Sequence, residues 1–210
     1  MLYDYLLETY GKSNPIFVSD IRYKNSSTNY IRQQIKKLAD EGKIRRYDSG
    51  IYYIPSDSMF PSGSMLSREK VIEEKYLRDD KGQCGYYSGF LFANQLGITS
   101  QVPAGYEIVT NKTGSEYREI TLGNLKIILK KPKTSINDGN YKILQLLDLL
   151  KNLDYYGEIK DEEIRRKIND YMIASEIEFE DMNAYLPLYP DKIYRNMYEK
   201  GIIKGALERE

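Results

Sequence analysis

Residues 25–55 constrain the chain more than any other stretch. Asn25-Ser26-Ser27-Thr28 is a run of N-cap formers, and Ile31, Ile35 and Leu38 recur beyond it at helical spacing. Gly42 stands where helices commonly stop in the left-handed conformation. The pattern predicts a helix running to about Glu41. Two β-prone runs come next, Lys43-Ile44-Arg45-Arg46-Tyr47 and Gly50-Ile51-Tyr52-Tyr53-Ile54, and Asp48-Ser49-Gly50 between them signals a hairpin. Upstream, Leu2, Leu6 and Tyr10 predict a helix over 1–10 that ends at Gly11. After the Asn14-Pro15 turn, Ile16–Lys24 reads as a short second helix. Helix, helix, helix and hairpin, closed by Pro55, is the outline of a winged helix-turn-helix.

The helix before the hairpin has two distinct faces. At 100° per residue Ile31, Ile35 and Leu38 fall within about 60° of one another and form the core side. Asn29, Arg32, Gln33 and Lys36 fall opposite, with Lys37 on the flank. These side chains suit nucleic acid: Arg reads guanine, Asn and Gln read adenine, and Lys holds phosphate oxygens. A helix entering the major groove by its N-terminus makes Ser27, Thr28, Asn29, Arg32 and Gln33 the candidate base readers. Lys36, Lys37, Lys43, Arg45 and Arg46 are the candidate backbone or minor-groove contacts. The equal totals of 31 basic and 31 acidic residues hide this asymmetry. Residues 21–47 hold 8 basic residues against only Asp40 and Glu41, while 148–210 hold 10 basic against 15 acidic. A basic head and an acidic tail fit ends that meet different partners.

The stretch from Ile31 to Tyr53 resembles the N-terminal domain of the AbiE-system antitoxins, the regulators of type IV toxin–antitoxin pairs associated with abortive phage infection. The family pattern "L-x-x-x-G-x-I-x-R" followed by "G-I/V-Y" is met by Leu38, Gly42, Ile44, Arg46, Gly50, Ile51 and Tyr52. Gly85-Tyr86-Tyr87-Ser88-Gly89-Phe90-Leu91-Phe92-Ala93-Asn94-Gln95-Leu96-Gly97-Ile98-Thr99 resembles the family helix after the linker, and Gln101-Val102-Pro103 then leads to strands. The resemblance covers about residues 1–150. It implies an autorepressor that binds double-stranded DNA at inverted repeats in its own promoter. It also implies neutralisation of a nucleotidyltransferase-like toxin without need of a stable complex. An acidic tail suggests contact with a basic surface, for which truncation at residue 150 is the test that the sequence offers.

Beyond Pro55, residues 56–65 read as a linker, with Pro61 and Gly63 in it. Ser67–Leu77 reads as a helix, Tyr86–Leu96 as a buried helix capped by Gly97, and Tyr106–Asn111, Tyr117–Leu122 and Leu125–Lys130 as an antiparallel meander. Tyr141–Leu150 is strongly helical, and 158–208 should hold two or three helices broken near Pro187 and Pro190. The expected fold class is α+β: a winged helix-turn-helix over 1–55, then a mixed α/β antitoxin or effector domain over 66–210 with a small antiparallel sheet and C-terminal helices. Residues 151–210 are a candidate helical subdomain.

Catalysis finds little support. The chain has no histidine, which removes Ser-His and Cys-His triads, and the single Cys84 excludes multi-cysteine zinc sites. Ser62-Gly63-Ser64 resembles the Gly-Ser of nucleotidyltransferases, but no Asp-x-Asp pair comes after it. Glu73-Glu74-Lys75 holds an E-x-K triplet, yet in a helical stretch, where salt bridges explain it. Tyr86, Tyr87, Phe90 and Phe92 have the spacing of core residues rather than of a base-stacking platform. No catalytic residue, cofactor or metal is therefore expected. No apolar run approaches 18 residues, so a cytoplasmic protein without membrane contact is the expectation. A stand-alone winged-helix regulator with a ligand-sensing or dimerisation domain remains the alternative, and an interaction module with an incidental basic helix a third.

Overall fold

The computed structural model describes residues 1–56, 65–156 and 158–202. Most of the expected linker, including Pro61 and Ser62-Gly63-Ser64, and the end of the last expected helix lie outside the described residues. The architecture is mixed α and β, in two compact units, Met1–Lys75 and Tyr76–Glu210. Residues 66–75, expected with the C-terminal domain, group with the first unit.

The first unit runs α1 (Leu2–Tyr10), β1 (Ile16–Phe17), α2 (Thr28–Asp40), β2 (Arg45–Asp48), β3 (Ile51–Tyr53) and α3 (Arg68–Ile72). Its strands form an antiparallel sheet in the order β1-β3-β2. The Ser27 hydroxyl accepts from the Tyr30 amide at 3.2 Å and starts α2. At the far end Gly42 takes φ +72°, and the amides of Gly42 and Lys43 close on the carbonyls of Ala39 and Leu38. Ile31, Ile35 and Leu38 are buried against Leu2, Leu6, Ile16, Ile21, Ile44 and Ile54 in one core.

The second helix expected over Ile16–Lys24 does not form. Ile16 and Phe17 pair with Tyr52 and Ile51 instead, and the Val18 amide donates to the Gly50 carbonyl at 3.0 Å. A β-branched and aromatic run beside an open sheet edge gains more from the ladder than from one helical turn. The chain then turns: Arg22 holds the carbonyls of Ser19 and Ile21, and Lys24 and Asn25 take left-handed φ values of 44° and 52°.

After α3 the chain tightens into a π-helical stretch, Glu73–Leu77, and enters the second unit. A two-residue hairpin of β4 (Arg78–Asp79) and β5 (Gly82–Gln83) leads to β6 (Gly85–Ser88) and α4 (Gly89–Gln95). The expected helix over Tyr86–Leu96 is thus a strand followed by a shorter helix. Gly85 explains the strand: a Cβ there would lie 2.3 Å from the Tyr76 carbonyl oxygen, so only glycine admits this close pass. Gly89, at φ +65°, turns the chain from strand into helix.

The three later strands, β7 (Gly105–Thr110), β8 (Tyr117–Leu122) and β9 (Leu125–Lys130), fall close to their expected bounds, but they are not an antiparallel meander. The sheet order is β6-β7-β9-β8, with β7 and β9 parallel and the other two pairings antiparallel. Burial dictates the order. Leu125, Ile127 and Leu129 of β9 are all buried, whereas Tyr117, Arg118 and Glu119 of β8 are exposed. The apolar strand takes the interior and the charged one the edge.

Helices close the unit: α5 (Tyr141–Lys151), α6 (Leu153–Tyr156), α7 (Asp161–Ala174), α8 (Phe179–Asn183), a 3₁₀ turn at Leu186–Leu188 and α9 (Lys192–Glu199). Every residue of α5 from Ile143 to Leu150 is buried, because β6, α4, α8 and α9 all pack on it. Its two buried polar side chains are satisfied. Gln145 donates to the Tyr87 carbonyl at 2.7 Å, and Asp148 accepts from the Tyr86 hydroxyl at 2.7 Å and from Lys151 at 2.9 Å. Among the described residues no helix is long and apolar enough to cross a membrane.

Candidate nucleic-acid interface

The core side of α2 decides its outer side. With Ile31, Ile35 and Leu38 facing inward, Ser27, Thr28, Asn29, Arg32, Gln33, Lys36 and Lys37 are all turned outward and exposed. Among the described residues none supplies the side chain of Asn29, Arg32, Gln33 or Lys36 with a hydrogen bond or ion pair. Lys37 differs, lying 3.9 Å from Glu41. The face splits into two stripes. Asn29, Gln33 and Lys36 make the outer one. Thr28 and Arg32 border a surface concavity of about 530 Å³ between α2 and the β2–β3 hairpin.

Three elements supply that concavity with cations. Arg32 comes from α2, Arg46 from β2 and Lys75 from the π-helical stretch after α3. Ser49 and Gly50 at the hairpin tip, Val18 and Ser19 of the turn, and Phe17 and Tyr52 complete most of the wall, and among the described residues no carboxylate belongs to it. Local bonds shape each part. The Ser49 amide donates to the Asp48 carboxylate at 2.6 Å, tightening the hairpin, and Arg46 donates to the Asp48 carbonyl at 3.3 Å. A bulge between Arg46 and Asp48 twists the strand end. The Lys75 ammonium sits 5.9 Å from the centre of the Phe17 ring.

The remaining expected contacts lie elsewhere. Arg45 is half-buried opposite Tyr53. Lys43 pairs with Glu41 at 2.8 Å, which raises the pKa of the lysine and lowers that of the glutamate. Asp4 of α1 also acts on Lys43, so this lysine belongs to the C-terminal end of α2. Its charge is already answered there. Lys75 escapes sequence reasoning because the Glu73-Glu74-Lys75 run reads as a salt-bridged helix surface. Only the fold shows it beside Arg32 and Arg46.

In the second unit Tyr86 and Phe92 are core residues and Tyr87 and Phe90 are half-buried. Burial, with Asp148 alongside, holds the Tyr86 and Tyr189 phenols well above the ordinary tyrosine range. Cys84 is 2% exposed, its thiol faces the Tyr76 carbonyl at 3.8 Å, and burial pushes its pKa up. A thiol so held is a poor source of thiolate.

Residues 5–178 match a family of unknown function (DUF6088), a span that runs across both units. No curated protein matches the chain.

Proposed function

We propose, for a chain that belongs to the DUF6088 family of unknown function, that the first unit is a winged-helix domain binding double-stranded DNA and that the protein is an autoregulating antitoxin of a type IV toxin–antitoxin pair. The observation that carries the DNA-binding part is the outer side of α2, where the side chains of Asn29, Arg32, Gln33 and Lys36 have no partner among the described residues, beside a basic hairpin. The sheet order β1-β3-β2 supports a winged helix, with β2–β3 as the wing. In this reading the helix before α2 is reduced to the turn over 18–26. Asn29 and Gln33 face the base edges, and Lys36 faces the backbone.

The antitoxin part rests on the resemblance carried by Leu38, Gly42, Ile44, Arg46, Gly50, Ile51 and Tyr52. The fold changes how the acidic tail is tested. Truncation at residue 150 cuts α5 one residue before its end and strips it of α8 and α9, so it unfolds the second unit rather than removing a tail. Neutralising exposed acidic residues such as Glu162, Asp170 and Glu180 tests the contact in an intact fold.

The deciding measurement is a mobility shift with the protein's own upstream promoter at two salt concentrations, with unrelated DNA as competitor. Specific shifts that resist competitor are expected, followed by rescue of growth when the adjacent gene is co-expressed. No shift at low salt refutes DNA binding. A specific shift without rescue leaves a stand-alone regulator.

A further inference from the structure

We infer that the concavity between α2, the hairpin and the π-helical stretch after α3 holds one phosphodiester group of the bound DNA backbone, gripped by Arg32, Arg46 and Lys75. The inference rests on the DNA-binding reading of the same surface and assigns its parts. Three cations from three separate elements meet at one depression, and among the described residues its wall has no carboxylate. Glu73 and Glu74, next to Lys75 in sequence, are exposed and outside that wall. A phosphate oxygen placed among these side chains meets charge-assisted donors from each element. Thr28 and Ser49 put hydroxyl groups on the same wall, which suits an acceptor-rich ligand.

The depression is also built to keep its shape. Lys75 lies against the Phe17 ring, Phe17 is fixed in the sheet opposite Ile51, and Arg46 is tied to the Asp48 carbonyl. A phosphate seated here contributes affinity regardless of sequence. It moves Arg32 from reading bases to positioning the helix, and leaves discrimination to Asn29 and Gln33 on the neighbouring stripe. Lys75 then makes residues beyond the hairpin part of the DNA-binding surface.

Full-length Lys75→Met and Lys75→Arg are compared with the wild-type chain on promoter and unrelated DNA, and phosphate-ethylation interference is mapped on the promoter. Methionine keeps an unbranched side chain of similar length without the charge, and matched thermal melts establish that the fold is intact. Wild-type affinity between about 50 and 200 mM salt should fall about threefold more than that of Lys75→Met, the effect of one phosphate contact. The methionine variant should weaken both DNAs alike and lose interference at one phosphate per bound unit, while Lys75→Arg keeps it. Unchanged interference and salt slope in a Lys75→Met protein that still binds its promoter overturn the phosphate site and spare the DNA-binding reading. A wild-type chain that binds no DNA overturns both.

Discussion

Gln33 and Lys36 are one turn apart on the same exposed stripe of α2, yet they should behave differently. An amide offers a paired donor and acceptor to adenine, so Gln33→Ala should weaken one preferred site by about 1–3 kcal/mol and leave unrelated DNA nearly unaffected. An ammonium offers only charge, so Lys36→Ala should weaken every sequence and flatten the salt dependence. Titrations of both variants on promoter and scrambled DNA check this, and equal losses on both DNAs would remove the distinction. Most of this face is legible in the sequence, since three buried residues at helical spacing oblige the others to face outward. The grouping of Arg32 with Arg46 and Lys75 is not legible, because it depends on contacts between segments far apart in the chain. Sequence proximity alone puts Lys43 with the wing; in the fold Glu41 and Asp4 answer its charge.

α2 is held at both ends by identifiable residues, and each end can be tested. Ser27→Ala removes the hydroxyl that accepts from Tyr30 and should cost about 1 kcal/mol. Gly42→Ala meets no neighbouring atom within 4 Å but places a Cβ at φ +72°, for a cost of about 1–2 kcal/mol. Denaturant unfolding of the full chain, followed through the first unit, measures both, and an unchanged midpoint for either would refute its assigned role. Elements marked by caps, turn residues or a long apolar period, such as α2, the β2–β3 hairpin and α5, are the ones that sequence reasoning finds. It fails where a short apolar run has two uses. Ile16-Phe17-Val18 and Tyr86-Tyr87 look helical by local spacing, yet a neighbouring strand claims each. The parallel pairing of β7 with β9 is equally hidden, because turn residues report which strands are adjacent in sequence and not which become neighbours.

Across the whole chain the two units differ in how they meet alkali. In the second, burial pushes Tyr156 and Tyr171 up to about 12 and raises Tyr76, Tyr86 and Tyr189 as well. In the first, burial raises Tyr10. A buried phenol favours its neutral form in the folded state, and its ordinary value is 10.0. Its stabilising contribution is therefore complete below that value and is lost as pH rises through about 12. Calorimetry between those limits should show the transition of the second unit falling ahead of that of the first, with phenolate absorbance rising in step. Coincident loss of both would mean that the tyrosines do not govern alkaline stability.

A helix buried on every side has a history as well as a place. Ribosomes release a chain from its N-terminus, so Leu144, Leu146, Leu147 and Leu150 emerge before Ile193 and Met197, the α9 residues buried in the same core. For that interval the nascent protein carries a strip of bare leucines, the kind of surface that chaperones hold and proteases find. The packing of α9 on α5 ends the exposure. Survival of the protein in the cell thus becomes a record that its message was read through the codons of α9.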